Sequence, residues 1–158
     1  MECMALGSRA LPVKHLLVHT GGSAVFSAGW PRAVCKAGWA AACLRPNPVT
    51  AGGLLFLGAA FAPVLLGAQV PGSFGVMQPS ASATEFTAVA AALALLRSRL
   101  GAVVPALSVA TDCKYAVEVP QLRAWATANH ALARVARAEL EARACSGQVQ
   151  IVHPRAQR

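Results

Sequence analysis

The first half of the chain contains apolar runs separated by turn residues, which is the pattern of β-strands. Residues 11–19 form the first run and residues 37–44 the second, with glycine and proline between them. A third strand is expected within residues 54–70, at residues 63–70. In this order the three runs predict an antiparallel meander.

A long helical pattern follows over residues 85–100, where apolar side chains recur at three- and four-residue spacing. The small polar residues before it predict an N-cap at Ser82 or Thr84. Glu85 is then expected in the first turn of the helix, where a negative charge is favoured.

The second half of the chain adds two strands and further helices. Residues 103–111 predict a buried fourth strand, residues 114–119 a short helical turn, residues 121–144 a mostly helical segment, and residues 148–153 a fifth strand. This order predicts an α/β fold in which helices pack on a mixed five-stranded sheet.

Length and charge limit the possible functions. A chain of 158 residues fits one domain with one core. Fourteen Lys and Arg residues against six Asp and Glu give a net charge of +8, and eleven of the fourteen are Arg. Arg suits bidentate contacts with phosphate, so a polyanionic partner is favoured. The arginines are scattered, however, and a GC-rich genome would give the same composition.

The stretch 46–84 has no charged residue, and residues 54–70 are almost wholly apolar. A run of about 17 residues is at the short limit for a membrane span. Gly58, Pro63 and Gly67 interrupt it, so a buried strand with apolar loops is preferred over a membrane anchor.

The cysteines and the N-terminus bear on the compartment. Five cysteines form no Cys-x-x-Cys pair, so neither a zinc site nor a disulfide framework is indicated. Residues 1–12 contain no apolar core long enough for a signal peptide. We expect an intracellular protein, cytoplasmic or nuclear, that is not secreted and is a monomer.

Asp112 is the only aspartate in the chain, and it directly follows the fourth predicted strand. In α/β folds the carboxyl ends of strands border the crevice where ligands bind, so Asp112 is a candidate site residue. Two other segments precede it: Thr20-Gly21-Gly22-Ser23 near the first strand and Ala83-Thr84-Glu85-Phe86-Thr87-Ala88 at the long helix. With Thr111-Asp112-Cys113, they resemble the acidic segments of ribonuclease H domains of type 1. The resemblance covers residues 13–153, and the second segment is similar to the domains of retrotransposon polyproteins.

The resemblance implies three antiparallel strands followed by parallel additions, and an endonuclease that cuts the RNA of RNA/DNA hybrids. Such hydrolysis uses two divalent ions, Mg²⁺ or Mn²⁺, held by converging carboxylates. Glu85 and Asp112 are the implied catalytic and metal-binding residues. The position expected to bridge both ions falls on Gly21, and the chain stops before the helix that usually carries a fourth carboxylate. At most one weakly held ion is therefore expected, and whether the chain is an enzyme stays open.

The resemblance assigns further residues by position. Gly22, Ser23 and Thr84 are implied nucleic-acid contacts, and His153 loosely resembles a loop histidine that assists product release in some members. Residues 1–12 and 154–158 are expected to be tails. Residues 46–83 are expected to be an apolar, charge-free insertion of loop and strand.

Other interpretations of these residues remain open. Glu85 can be only a first-turn helix charge, and Asp112 can be only a turn former at a strand end. The domain can be a non-catalytic nucleic-acid-binding module, in which backbone amides near Gly22 and Ser23 hold a duplex without cutting it. It can also be a decayed retroelement relic with a degenerate site and no selected role.

Overall fold

The computed structural model describes residues 15–26, 34–67, 69–76, 80–100, 106–121, 126, 129–144 and 149–153. Its strands are β1 (His15–Phe26), β2 (Val34–Pro46), β3 (Leu54–Pro63), β4 (Ala106–Ala110) and β5 (Val149–Val152). Its helices are α1 (Ala81–Leu100), α2 (Lys114–Glu118) and α3 (His130–Ala144).

One sheet holds these strands in the order β3-β2-β1-β4-β5. β1 pairs antiparallel with β2, and β2 pairs antiparallel with β3. β4 and β5 then add in parallel, with β1 next to β4 from His15↔Ala106 to His19↔Ala110. The expected mixed five-stranded sheet is therefore confirmed, and β1 is its central strand.

The core lies between the sheet and α1. Alternate side chains of β1 and β4, including Leu16 and Val109, point toward α1 and are buried. From α1, Phe86 and Leu93 are completely buried against them. α2 and α3 also contact α1, so the described helices collect on one face of the sheet.

The other sheet face is apolar but open. Phe56 and Phe61 of β3 expose 63% and 70% of their surface, and Val25 of β1 exposes 61%. None of the described helices is long and apolar enough to cross a bilayer.

The third strand lies earlier than the sequence predicted. β3 covers Leu54–Pro63, whereas residues 63–70 were expected to form it. Gly67 adopts a φ angle of 93°, which turns the chain away from an extended conformation within residues 63–70. Both regions are equally apolar, so hydrophobicity could not decide between them. Among the described residues, the other four strands overlap the predicted ones, with β1 extending further toward the C-terminus. The predicted strand residues 11–14 and 103–105 lie outside the described part of the chain.

We expect two phenylalanines to differ sharply in their contribution to stability. Phe86 packs edge-to-face on Tyr115 with ring centroids 5.5 Å apart, while Phe56 is exposed. Phe86→Ala should lower the free energy of unfolding by about 3–5 kcal/mol. Phe56→Ala should lower it by about 1 kcal/mol or less. Urea denaturation of both variants measures this, and equal losses would contradict the assignment of the two sheet faces.

Candidate functional site

Gly22 brings β1 into backbone contact with α1. A Cβ added at Gly22 would lie 2.3 Å from the carbonyl carbon of Thr84 and 2.5 Å from the backbone nitrogen of Glu85. Real Cβ atoms do not approach other atoms so closely, so this position accepts only glycine without a shift of the backbone. The second glycine of the Thr20-Gly21-Gly22-Ser23 segment therefore sets the distance between the central strand and the helix.

This contact holds the Glu85 carboxylate at the end of the sheet. The backbone N–H of Gly22 donates a hydrogen bond to it. Its Oε2 atom is buried and has no hydrogen-bond partner. Burial raises the pKa of Glu85, the hydrogen bond from Gly22 opposes that rise, and the negative charge of Asp112 adds to it. Glu85 thus lies within electrostatic reach of Asp112.

The N-cap of α1 differs from the prediction, and this changes the meaning of Glu85. The Ala83 N–H donates to Ser80 Oγ at 3.0 Å, and α1 begins at Ala81. The first turn has no acidic residue. Glu85 is one turn further along, so its interpretation as a first-turn helix charge is wrong. Ser80, Ser82 and Thr84 all suit a cap, so capping preference in the sequence does not select among them.

Asp112 lies two residues after the end of β4, close to where the sequence predicted it, and its side chain is exposed. The turn after the strand is held by its neighbour, because Thr111 Oγ1 accepts the Cys113 N–H at 3.3 Å. The N-cap residue of α2 is Cys113, without a side-chain cap. The turn geometry therefore gives Asp112 no capping role.

Gly21 lies in β1 between Thr20, which contacts the end of β4, and Gly22, which contacts Glu85. On one side Thr20 Oγ1 donates to the Ala110 carbonyl at 3.3 Å, and on the other Gly22 binds Glu85. A Cβ on Gly21 would meet nothing within 4 Å. Successive side chains of a strand point to opposite faces, so a side chain at residue 21 would project onto the open face of the sheet. Nothing in the surrounding structure prevents a carboxylate there.

The end of β5 also meets this edge of the sheet. The His153 Nε2–H donates to the backbone carbonyl of Asp112 at 3.0 Å, and the Thr111 N–H donates to the Val152 carbonyl at 3.1 Å. His153 therefore lies beside Asp112, although the two are 41 residues apart in the chain.

The three residues predicted to contact nucleic acid differ in their exposure to solvent. Ser23 is exposed on β1, and Gly22 is half-buried. Thr84 is completely buried, and its hydroxyl donates to the Ala81 carbonyl at 2.7 Å. Sequence reasoning missed the packing role of Gly22, for which the only signal was a glycine pair following an apolar run.

Glu85 and Asp112 are the two candidate metal ligands of the site. Glu85 has an unpartnered carboxylate oxygen, Oε2, and the negatively charged Asp112 acts on it electrostatically. Carboxylate oxygens are hard ligands of the kind that Mg²⁺ prefers. Across the part of the chain that the structure describes, no group of three or more His, Cys, Asp and Glu could hold a metal ion. Two carboxylates cannot balance the charge of two such ions.

No family model and no curated protein sequence matches the chain. Solved structures match it in fold. The protease–reverse transcriptase of prototype foamy virus gives a TM-score of 0.60 at 16% identity, over 92% of this chain and 18% of that one. Ribonuclease H1 of the archaeon Halobacterium salinarum NRC-1 gives 0.57 at 17% identity, over 90% of this chain and 88% of that one. LC11-RNase H1, solved in complex with an RNA/DNA hybrid, gives 0.56 at 17% identity, over 90% and 87%.

The chain has the ribonuclease H fold. The fold implied by the three short segments is therefore confirmed. At this level of identity the likeness establishes the fold alone, so the activity, the retrotransposon context and the domain boundaries remain predictions. Within the ribonuclease H fold, the Gly21–Gly22 pair and the two acids share one end of the sheet.

The adjacent glycines should respond oppositely to alanine. Gly22→Ala should lower the free energy of unfolding by about 1–3 kcal/mol or more, because its Cβ overlaps the α1 backbone. Gly21→Ala should be neutral or stabilise by up to about 1 kcal/mol, because the site is open and alanine restricts the unfolded chain. Urea denaturation compares the two, and a tolerated Gly22→Ala would contradict the close approach of β1 and α1.

We also expect the effect of Glu85→Gln on stability to depend on pH. Because the pKa of Glu85 is raised above its ordinary 4.5, the folded state binds the proton more tightly than the unfolded state. The free energy of unfolding therefore falls as the pH rises from about 4.5 through the raised folded value. Glu85→Gln removes this cost, so without divalent ions its melting temperature should exceed that of the wild type at neutral pH and match it in acid.

The control for this measurement is Glu141→Gln, since Glu141 is exposed on α3. Its melting temperature should follow that of the wild type at every pH. A Glu85→Gln variant that gains nothing at neutral pH would show that the Glu85 carboxylate is not held in a buried position.

Proposed function

We propose that this chain is a ribonuclease H-like domain that binds RNA/DNA hybrid and holds one Mg²⁺ or Mn²⁺ weakly at Glu85 and Asp112. Its cleavage of hybrid is slow or absent. The observation that carries the proposal is the buried, unpartnered Oε2 of Glu85 within electrostatic reach of Asp112. An unsatisfied buried oxygen is costly, and a cation would satisfy it and also relieve the repulsion between the two acids.

Each residue of the site has a distinct part in this proposal. Glu85 and Asp112 bind the cation, and the hydrogen bond from the Gly22 N–H orients the Glu85 carboxylate. The His153 imidazole holds the backbone of Asp112 in place through a hydrogen bond to its carbonyl. A bound divalent ion would supply activation of water and stabilisation of the leaving oxygen.

Gly21 limits the chemistry of the site. The resemblance places a metal-bridging aspartate at this position, and loss of such a ligand commonly removes several orders of magnitude in rate. The glycine leaves room for the missing side chain, so the scaffold of the site is retained without one of its ligands. This favours hybrid binding over hybrid cleavage for the natural sequence.

Two independent features support a nucleic-acid partner. The net charge of +8 favours a polyanion, and the side chains of eleven arginines can donate hydrogen bonds to phosphate oxygens. In addition, LC11-RNase H1, which shares the fold, was solved in complex with an RNA/DNA hybrid. A non-catalytic binding module is the second candidate function, and the glycine at position 21 is the observation that favours it.

Restoring the carboxylate tests the site directly. We expect Gly21→Asp to raise Mg²⁺- or Mn²⁺-dependent cleavage of a labelled RNA/DNA hybrid by on the order of a hundredfold or more. Adding Asp112→Asn to that variant should abolish the gain, because a second ligand is lost. Gly21→Asn is the matched control, since it has the same shape without the charge and should not cleave.

Cation and hybrid binding provide readouts that do not need activity. Calorimetry should detect weak Mn²⁺ binding to the wild type, lost in Glu85→Gln, and fluorescence anisotropy should show hybrid binding that weakens with salt. Hybrid binding without cleavage in any variant would favour the binding module. Folded protein that binds neither Mn²⁺ nor hybrid would refute the proposal, and absence of cooperative unfolding would favour a decayed relic.

A further inference from the structure

A shallow groove of about 570 Å³ runs across β1, β2 and β3 on the open face of the sheet. Its lining includes Gly21, Ser23, Gly38, Ala40, Phe61 and Pro63. Gly21 belongs to the candidate site as well, so the groove and the site are continuous along β1.

The strand register explains the shape of the groove. Gly21 pairs with Ala40, and Ala40 pairs with Phe61, so the three residues form a row across the sheet on the same face. The first two carry at most one side-chain carbon, which leaves a flat floor. Phe61 forms the raised side of this row, with 70% of its surface exposed.

The chemistry of the groove suits a planar, uncharged ring. It has a flat apolar floor, an exposed aromatic side chain and the exposed Ser23 hydroxyl as a polar group at its side. Its lining has no acidic side chain that would repel a phosphodiester. Exposed aromatic side chains on a sheet bind single-stranded nucleic acid by stacking on its bases, and this stacking tolerates any sequence.

We infer that the groove receives an unpaired base of a nucleic acid bound at the adjacent site, with the base stacked on Phe61. The inference rests on the proposed function and adds a preference for hybrid with a single-stranded extension. A second copy of the chain is the other apolar occupant to consider. The net charge of +8 on each copy opposes that association and favours the polyanion.

Anisotropy titrations with two labelled hybrids, one blunt and one with a short single-stranded extension, test the inference. The extension should tighten binding to the wild type by about tenfold, which is the usual contribution of one stacked base. Phe61→Ala should lose this gain and keep the affinity for blunt hybrid, while Phe61→Tyr should retain the gain. Phe56→Ala is the matched control, since Phe56 is similarly exposed on β3 but does not line the groove.

A photoreactive base in the extension gives a second readout. Crosslinking followed by mass spectrometry should attach that base to the peptide containing Phe61. Attachment only to peptides from other strands, in protein that binds the extended hybrid, would overturn the inference.

The outcomes separate this inference from the function on which it rests. Wild-type protein that binds both hybrids equally would overturn the inference and leave the proposed function standing. Failure to bind either hybrid would overturn both. Equal losses for the two hybrids in Phe61→Ala would place Phe61 against the duplex instead of an unpaired base. Self-association that depends on Phe61, without any gain from the extension, would identify a second copy as the occupant.

Discussion

The backbone contact between Gly22 and the first turns of α1 determines the geometry of the site. Because Gly22 has no side chain, the central strand approaches the helix closely enough for its N–H to bind the Glu85 carboxylate. The same carboxylate has a buried oxygen, Oε2, without a hydrogen-bond partner, and the negative charge of Asp112 acts on the group. A larger residue at position 22 would move the helix and separate these groups.

Gly21 and Gly22 are adjacent in β1 but lie on opposite faces of the sheet. Gly22 faces the helix and is fixed by steric contact, whereas Gly21 faces the open side and has space around it. The fold can therefore persist after the loss of a side chain at position 21, since no packing depends on it. The same open face carries the groove next to Phe61, which joins the candidate cation site to a surface suited to a base.

Much of the fold could be predicted from periodicity. The helix α1 is visible in the sequence as a long apolar segment with helical spacing, and its residues 86–93 are all buried. The third strand was misplaced because residues 54–63 and 63–70 are both apolar, while in the structure Gly67 adopts a left-handed conformation within the later stretch. The N-cap was misplaced by a few residues for a related reason, since Ser80 and Ser82 have equal intrinsic capping ability.

The sequence by itself determined the order of the elements and the identity of the two acids, because hydrophobic periodicity and an isolated aspartate at a strand end are local properties. The tertiary structure decided the surroundings of those acids. It placed Glu85 one turn into the helix against the Gly22 N–H, brought His153 to the carbonyl of Asp112, and aligned Gly21 with Ala40 and Phe61. Each of these depends on strand register and on the distance between sheet and helix, which are set by contacts between residues far apart in the chain.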